Sequence, residues 1–154
     1  MNPRIKVIIP AYNEEASIAK VIKDIPLNVQ EVIVVSNNST DATEQQAKNA
    51  GATILTESRK GYGYACLKGM DYIAEQNEKP DIIVFLDGDY SDYPEQLEEL
   101  VTPIVNNEVD FVIGTRVKSL RETGSMTPQQ IFGNWLATFL MNILFGAKFT
   151  LSLI

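Results

Sequence analysis

Five short apolar runs punctuate the chain: Ile5 to Ile9, Val32 to Val35, Ala52 to Leu55, Ile82 to Leu86 and Phe111 to Ile113. Several are continuous rather than alternating, and they are rich in Val and Ile. Strands buried on both faces of a parallel sheet have this pattern, so each run is expected to be a strand.

Between the runs, apolar residues recur at helical spacing. Ile18, Val21, Ile22 and Ile25 fall at i, i+3, i+4 and i+7. Asn13 is expected to cap that helix, with Glu14 and Glu15 suiting its positive end, and Pro26 to stop it. A second helix is expected to open at Asp41, with Glu44 completing a capping box, and to close at Gly51. A third begins near Gly61 and is expected to bury Cys66, Met70, Ile73 and Ala74. A fourth has Pro94 near its first position and apolar Leu97, Leu100, Val101 and Ile104, with Pro103 kinking it or ending it early.

Strand and helix therefore alternate, which predicts an α/β fold: an open, mostly parallel sheet with helices on both faces. No internal repeat, low-complexity tract or linker interrupts residues 1–122, which are expected to form one α/β domain. Residues 123–154 are expected to be an apolar helical segment and a short C-terminal end.

The residues after each strand carry the chemistry. They are Pro10-Ala11-Tyr12-Asn13-Glu14, Ser36-Asn37-Asn38-Ser39-Thr40-Asp41, Glu57-Ser58-Arg59-Lys60-Gly61, Asp87-Gly88-Asp89 and Gly114-Thr115-Arg116. Polar residues and glycines thus gather at the carboxyl ends of the strands, where open α/β sheets bind ligands.

Composition narrows that chemistry. The chain has 154 residues, enough for one core, and a formal net charge of -7, which disfavours a nucleic-acid partner. It contains no histidine, so a His general base, a Ser-His-Asp triad and a His-ligated zinc site are all excluded. One cysteine, Cys66, gives neither an internal disulfide nor a structural zinc site. Any metal must be held mainly by oxygen ligands, which points to Mg²⁺ or Mn²⁺.

Asp87-Gly88-Asp89 is the sharpest motif. Two carboxylates fixed near a strand end repel unless positive charge joins them, and a divalent cation bridging to a diphosphate supplies it. A solvated Asp-Gly turn is the plain alternative. Asp92 is either a further acidic contact or a helix-start residue. Arg59-Lys60-Gly61-Tyr62-Gly63 precedes a helix and can meet phosphate oxygens, or be a basic surface loop. Gly61-x-Gly63-x-x-Cys66 lacks the third glycine of a dinucleotide fingerprint, and no P-loop string occurs. The Ser36–Asp41 stretch can bond a base or ribose, or serve as turn and helix cap; for Asp41 the cap is preferred.

Taken in order, these pieces resemble the family 2 glycosyltransferases, in particular those that load sugars onto polyprenyl or dolichyl phosphate. The resemblance covers about residues 5 to 149, by the same count of elements. It implies a GT-A-type fold, a nucleotide-diphosphate sugar donor and transfer with inversion. Pro10, Tyr12 and Glu14 fall on the family's base and ribose contacts. Asn37 falls where the family often has an acid that meets the base; here it is an amide, which leaves the base open. Lys60 and Gly61 fall on a nucleotide contact. Asp87 and Asp89 fall on the acid-x-acid motif, with Asp89 the direct metal ligand. Arg116 falls on a cation near the acceptor. Asp89 and Arg116 are therefore the candidate catalytic residues. Pro10, Tyr12, Glu14, Asn37, Lys60, Gly61 and Asp87 are the candidate donor-binding residues.

Residues Thr123 to Ala147 carry no charge, and Ile131 to Phe145 reads as a strongly apolar helix with a polar stripe at Gln130, Asn134, Thr138 and Asn142. A span needs about 20 mainly apolar residues, so an interfacial amphipathic helix or a buried or homodimer-interface helix fits better. The resemblance favours the first, with a lipid-phosphate acceptor and a peripheral place at the cytoplasmic membrane face. No secretory h-region opens the sequence. After about Thr150 the chain departs from the family pattern, whose acidic and Phe-Arg-containing segment does not follow. A truncated C-terminal part is expected.

Overall fold

The computed structural model describes residues 3–114. The chain divides into two compact units, Met1–Val112 and Ile113–Ile154. Within the first, four parallel strands form one sheet: β1 (Ile5–Ala11), β2 (Val29–Ser36), β3 (Thr53–Thr56) and β4 (Ile82–Phe85). Their spatial order is β3-β2-β1-β4. The helices are α1 (Ile18–Asp24), α2 (Thr43–Asn49), α3 (Tyr62–Glu75) and α4 (Leu97–Val105), the last entered through a 3₁₀ turn at Pro94–Gln96.

Alternation along β1 assigns the two faces. Ile5, Val7 and Ile9 join Ile18, Val21 and Ile22 of α1, Ala47 of α2, and Leu97 and Val101 of α4. Ile8 faces the other way, with Ile33 and Val35 of β2 against Ala65 and Ile73 of α3. Helices therefore cover both faces of a parallel sheet, as the alternating pattern predicts. All seven residues of β1 are buried, Lys6 among them, which explains why apolar residues fill both faces of the strand.

Several local expectations need correction. α3 buries Ala65, Gly69 and Ile73, while Cys66 is half-buried and Met70 and Ala74 are exposed. The stripe turned to the sheet is Ala65-Gly69-Ile73, one residue before the expected Cys66-Met70-Ala74, and at Gly69 the helix comes close: a Cβ there would stand 2.7 Å from Ile8 Cγ2. Asn13 does not cap α1, which starts four residues after Glu14. Asn13 instead takes a left-handed φ of 57°, and its Oδ1 accepts from the Thr40 N–H at 2.8 Å. Asp41 does serve the start of α2, accepting from the Thr43 N–H at 3.0 Å, but Glu44 does not complete a capping box. Glu15 takes that part from across the sheet edge, accepting from the Ala42 N–H at 2.9 Å. α4 runs past Pro103 to Val105, although Pro103 has no N–H to give the carbonyl of Glu99. Residues Phe111–Ile113 form no strand, and Phe111 and Ile113 are exposed. A three-residue apolar run becomes a strand only where an edge takes its backbone, and among the described residues nothing pairs with the outer edge of β4.

Candidate functional site

The chain runs outward from β1 to β3 and then crosses back to β4 on the other side of β1. The strand order therefore reverses between β1 and β4, whose loops stand side by side at the carboxyl edge, the place where open α/β sheets take ligands. A cleft of about 290 Å³ lies there, lined by Pro10, Ala11, Tyr12, Glu14, Asn37, Tyr62, Ala65, Asp87, Gly88 and Asp89. Six of the residues singled out in the sequence meet in it: Pro10, Tyr12, Glu14, Asn37, Asp87 and Asp89. Lys60 and Gly61 do not line it. They stand in the β3–α3 loop, joined to the cleft by the Gly61 N–H, which donates to Asn37 Oδ1 at 2.8 Å. Arg116, Thr115 and the apolar segment at 131–145 lie outside the described residues.

The β1 end is fixed by its neighbour strand's loop. The Glu14 N–H donates to Thr43 Oγ1 at 2.7 Å, and the Glu14 carboxylate accepts from Ser17 Oγ at 2.9 Å. Tyr12 is exposed, presenting its ring at the mouth.

At the β4 end, Asp87 is half-buried and Asp89 exposed. Tyr62, at the start of α3, donates its hydroxyl to Asp87 Oδ1 at 3.3 Å. Burial and the adjacent Asp87 charge push the Tyr62 phenol up from its ordinary value. Burial also pushes up the Cys66 thiol, one turn along. Asp89 Oδ1 accepts from the Ser91 N–H at 2.9 Å, closing a turn over Tyr90. The left-handed residue of this turn is Tyr90, φ 64°, and not Gly88. A bulky residue in that region costs on the order of 1–3 kcal/mol and marks a geometry the surroundings impose. The Tyr90 hydroxyl is anchored on Asp24 Oδ2 at 2.5 Å. Gly88 has a different duty: it is buried, with Glu14, Ile18 and Ile9 at contact distance from where its Cβ would stand.

The basic loop is built on one buried carboxylate, while Ser58, Arg59, Lys60 and Gly61 stay exposed. Glu57 is buried and accepts from Arg59 through both the backbone N–H (2.8 Å) and the guanidinium (2.7 Å). These bonds hold the Glu57 carboxyl at about 2. The same guanidinium lies 4.6 Å above the Tyr64 ring. Arg59 thus braces the loop while remaining exposed itself, and Lys60 stands exposed beside it.

Reading by sequence missed Tyr62 and Tyr90. Tyr62 was visible between the two glycines, but its contact with Asp87 is made across 25 residues of chain. Tyr90 carries no signal at all, since a left-handed tyrosine cannot be read from a sequence.

The family model described as "Glycosyl transferase family 2" matches residues 6–152. RfbJ of Shigella flexneri is 37% identical over 114 residues, covering 73% of this chain and 84% of that protein. The UDP-N-acetylglucosamine–dolichyl-phosphate N-acetylglucosaminyltransferase of Methanococcus voltae is 30% identical over 161 residues, covering 92% of this chain and 63% of that protein. Among solved structures, glucosyl-3-phosphoglycerate synthase of Mycobacterium tuberculosis, in complex with Mn²⁺, UDP-glucose and phosphoglyceric acid, superposes with a TM-score of 0.60 at 34% identity, covering 69% of this chain and 40% of that one. Apart from RfbJ, the chain spans roughly a third to two thirds of the length of the relatives it matches. With a family match over nearly its whole length and relatives of this identity, the chain belongs to glycosyl transferase family 2.

Proposed function

We propose that the chain binds a nucleotide-diphosphate sugar, UDP- or GDP-linked, and transfers the sugar with inversion to a polyprenyl phosphate. The observation that carries this reading is the cleft at the β1/β4 crossover, where Asp87 and Asp89 face Pro10, Tyr12, Glu14 and Asn37.

The donor set suits a hard divalent cation. Among the described residues no three acidic or thiol groups converge on one point, so an all-protein cage is not built here. Mg²⁺ and Mn²⁺ sites at phosphates need only one or two carboxylates, the ligand's oxygens and water completing the shell. Asp87 and Asp89 would hold the ion, with Asp89, the more exposed, meeting it directly. When bound, the ion supplies Lewis-acid stabilisation of the leaving diphosphate. The M. tuberculosis synthase was crystallised with Mn²⁺ and also with Mg²⁺ and UDP, which supports this assignment.

In the proposed reaction an acceptor oxygen forms a bond to the anomeric carbon as the bond from that carbon to the diphosphate breaks, and the nucleoside diphosphate leaves. Pro10, Tyr12, Glu14 and Asn37 hold base and ribose, Lys60 meets the nucleotide, and Arg116 meets the acceptor. A phosphate acceptor is already anionic and needs little general-base help, which accords with a chain lacking histidine. The dolichyl-phosphate specificity of the M. voltae relative supports a lipid phosphate, and such an acceptor brings the enzyme to the cytoplasmic face of a membrane. Among the described residues no helix is long and apolar enough to cross one.

Calorimetric titration with UDP-glucose and GDP-mannose, with and without Mn²⁺, tests the reading beside Asp89→Ala. Metal-dependent binding that disappears in the variant is expected. Binding by the folded wild type that ignores both the metal and Asp89 would overturn it. Sugar transfer to a polyprenyl phosphate is the second step. Because the chain spans 40% of the solved synthase, donor binding without turnover is the outcome that would favour a donor-binding module instead.

A further inference from the structure

Tyr90, the residue after Asp89, ties the acidic turn to α1. It sits at a left-handed φ of 64° and donates its hydroxyl to Asp24 Oδ2 at 2.5 Å. Each end of that bond stands where its residue type is ill suited to the fold. Glycine takes a left-handed φ at no steric cost, and tyrosine does not. Asp24 is the last residue of α1, where a carboxylate meets the negative end of the helix. Both residues are exposed, so core packing explains neither. Two locally unfavourable choices, 66 residues apart in the chain, are thus joined by one charge-assisted hydrogen bond.

What the bond secures follows from the turn. The Ser91 N–H donates to Asp89 Oδ1 at 2.9 Å across the left-handed Tyr90, which fixes the rotation of that carboxylate. The Asp87 N–H donates to Asp92 Oδ2 at 3.4 Å. Both bonds are internal to residues 87–92, whereas the Tyr90 bond leaves the segment. Asp89 is therefore bracketed: buried Gly88 holds the chain before it, and Tyr90 holds the chain after it. α1 is a firm anchor, because Ile18, Val21 and Ile22 root it in the core. A carboxylate ordered in advance does not pay the entropy of ordering when its ligand arrives.

We propose that Tyr90 and Asp24 form a latch that positions Asp89: the bond between them holds the acidic turn against α1 in its metal-binding shape before any cation or nucleotide arrives. Neither residue lines the cleft, so both act through Asp89 and not on the ligand. The inference rests on the reading of Asp89 as the metal ligand and adds the residues that keep it in place. Without the latch, nothing offsets the strain at Tyr90, and the turn relaxes toward a negative φ that carries Asp89 with it.

The test compares the wild type, Tyr90→Phe, Asp24→Ala, the double variant and Asp24→Asn in the full chain. Calorimetric titration with UDP and GDP, with and without Mn²⁺, is paired with thermal melts and with hydrogen–deuterium exchange across residues 87–92 of the metal-free chain. Tyr90→Phe and Asp24→Ala are each expected to speed exchange and to weaken Mn²⁺-dependent binding about fivefold, the loss of one hydrogen bond. The double variant should lose no more than either single one, because the same bond is removed once. Asp24→Asn should stay close to the wild type, since its amide oxygen still accepts from the hydroxyl. Nucleotide binding without Mn²⁺ should stay within about twofold throughout. Asp24→Ala should melt no lower than the wild type, since it removes an acid from the negative end of α1. A residue that only stabilised the fold would lower the melts and weaken binding equally with and without the metal, and that result overturns the positioning role. Losses that add in the double variant, to about 25-fold, or exchange that stays unchanged in both single variants, overturn the latch. A folded wild type whose nucleotide binding ignores Mn²⁺ overturns the metal reading of Asp89 itself, and exchange in the metal-free chain still decides whether Tyr90 and Asp24 hold the turn.

Discussion

The two ends of the sheet use polar groups in opposite ways. At the amino end, Lys6 is buried, and its ammonium meets Glu31 at 2.7 Å and also Gln76. Glu31 further accepts from Thr53 (2.8 Å), Tyr72 (3.0 Å) and Gln76 (3.2 Å). β1, β2, β3 and α3 are thereby tied by one network, and Arg4 pairs with Asp81 beside β4. At the carboxyl end, Glu14, Asp87, Asp89 and Tyr12 border an open cleft. Left-handed residues also recur there, at Asn13, Asn38 and Tyr90, one after each of three strands. One end spends its polar groups on the fold. The other bends its backbone to present them.

The contrast breaks first, and most heavily, at Glu31. Replacing it by alanine leaves the Lys6 ammonium buried without its carboxylate, a loss expected to cost about 3–5 kcal/mol. Denaturant melts of Glu31→Ala measure it, and the folded fraction should bind nucleotide as the wild type does. pH gives a second view. Burial pushes the Glu31 carboxyl up, but hydrogen bonds from Lys6, Thr53, Gln76 and Tyr72 outweigh it and hold the group at about 2. The folded value lies below the ordinary 4.5, so between these values the unfolded chain takes up the proton first. Stability contributed by Glu31 is thus present above pH 4.5 and is lost as pH falls toward 2. Glu31→Gln should flatten that part of the acid melt.

Asp89→Ala is the mirror image. Asp89 is exposed and its described bond closes only its own turn, so melts should barely move. Metal-dependent affinity for the nucleotide sugar should fall by about a hundredfold, or about 2.7 kcal/mol. A variant that unfolds instead would mean that the carboxyl end is also built for stability, and the contrast would be lost.

What the sequence made legible follows the same division. β1 and the carboxyl half of β2 are buried on both faces, and β4 buries Ile82 and Val84 while keeping apolar Ile83 and Phe85 on its other face, so apolar runs made β1 to β4 readable to within a few residues. The gathering of Asp87, Asp89, Glu14 and Asn37 was readable because an alternating fold sends all of them to one edge. Contacts set by closeness were not. The periodicity points to Cys66, Met70, Ile73 and Ala74 as the buried side of α3, whereas the helix meets the sheet through Ala65, Gly69 and Ile73, and at the first two smallness is the signal. Gly69→Ala checks this: with Ile8 Cγ2 only 2.7 Å from the new Cβ, overpacking should cost about 1–3 kcal/mol, read by denaturant melts. A neutral substitution would mean that α3 can lift off the sheet. The strand expected at Phe111–Ile113 failed for another reason: pairing belongs to the edge that receives a strand, and no run of letters records it.

Asp41 tests the division where it is least obvious, because it stands at the carboxyl end and yet serves the fold. Its Oδ1 accepts from the Thr43 N–H (3.0 Å) and hydroxyl (2.5 Å), and its Oδ2 from the Glu15 N–H (3.2 Å). Burial acts against the carboxylate, but the Thr43 bonds win and lower its pKa. One side chain thereby starts α2 and joins the loops that leave β1 and β2, without lining the cleft. Asp41→Ala should cost about 1 kcal/mol, the usual loss of a helix-start acceptor. Because Thr43 Oγ1 still receives the Glu14 N–H, the β1 loop keeps its second tie, and nucleotide affinity should stay within about twofold. Affinity that collapses while stability holds would move Asp41 from the fold to the ligand.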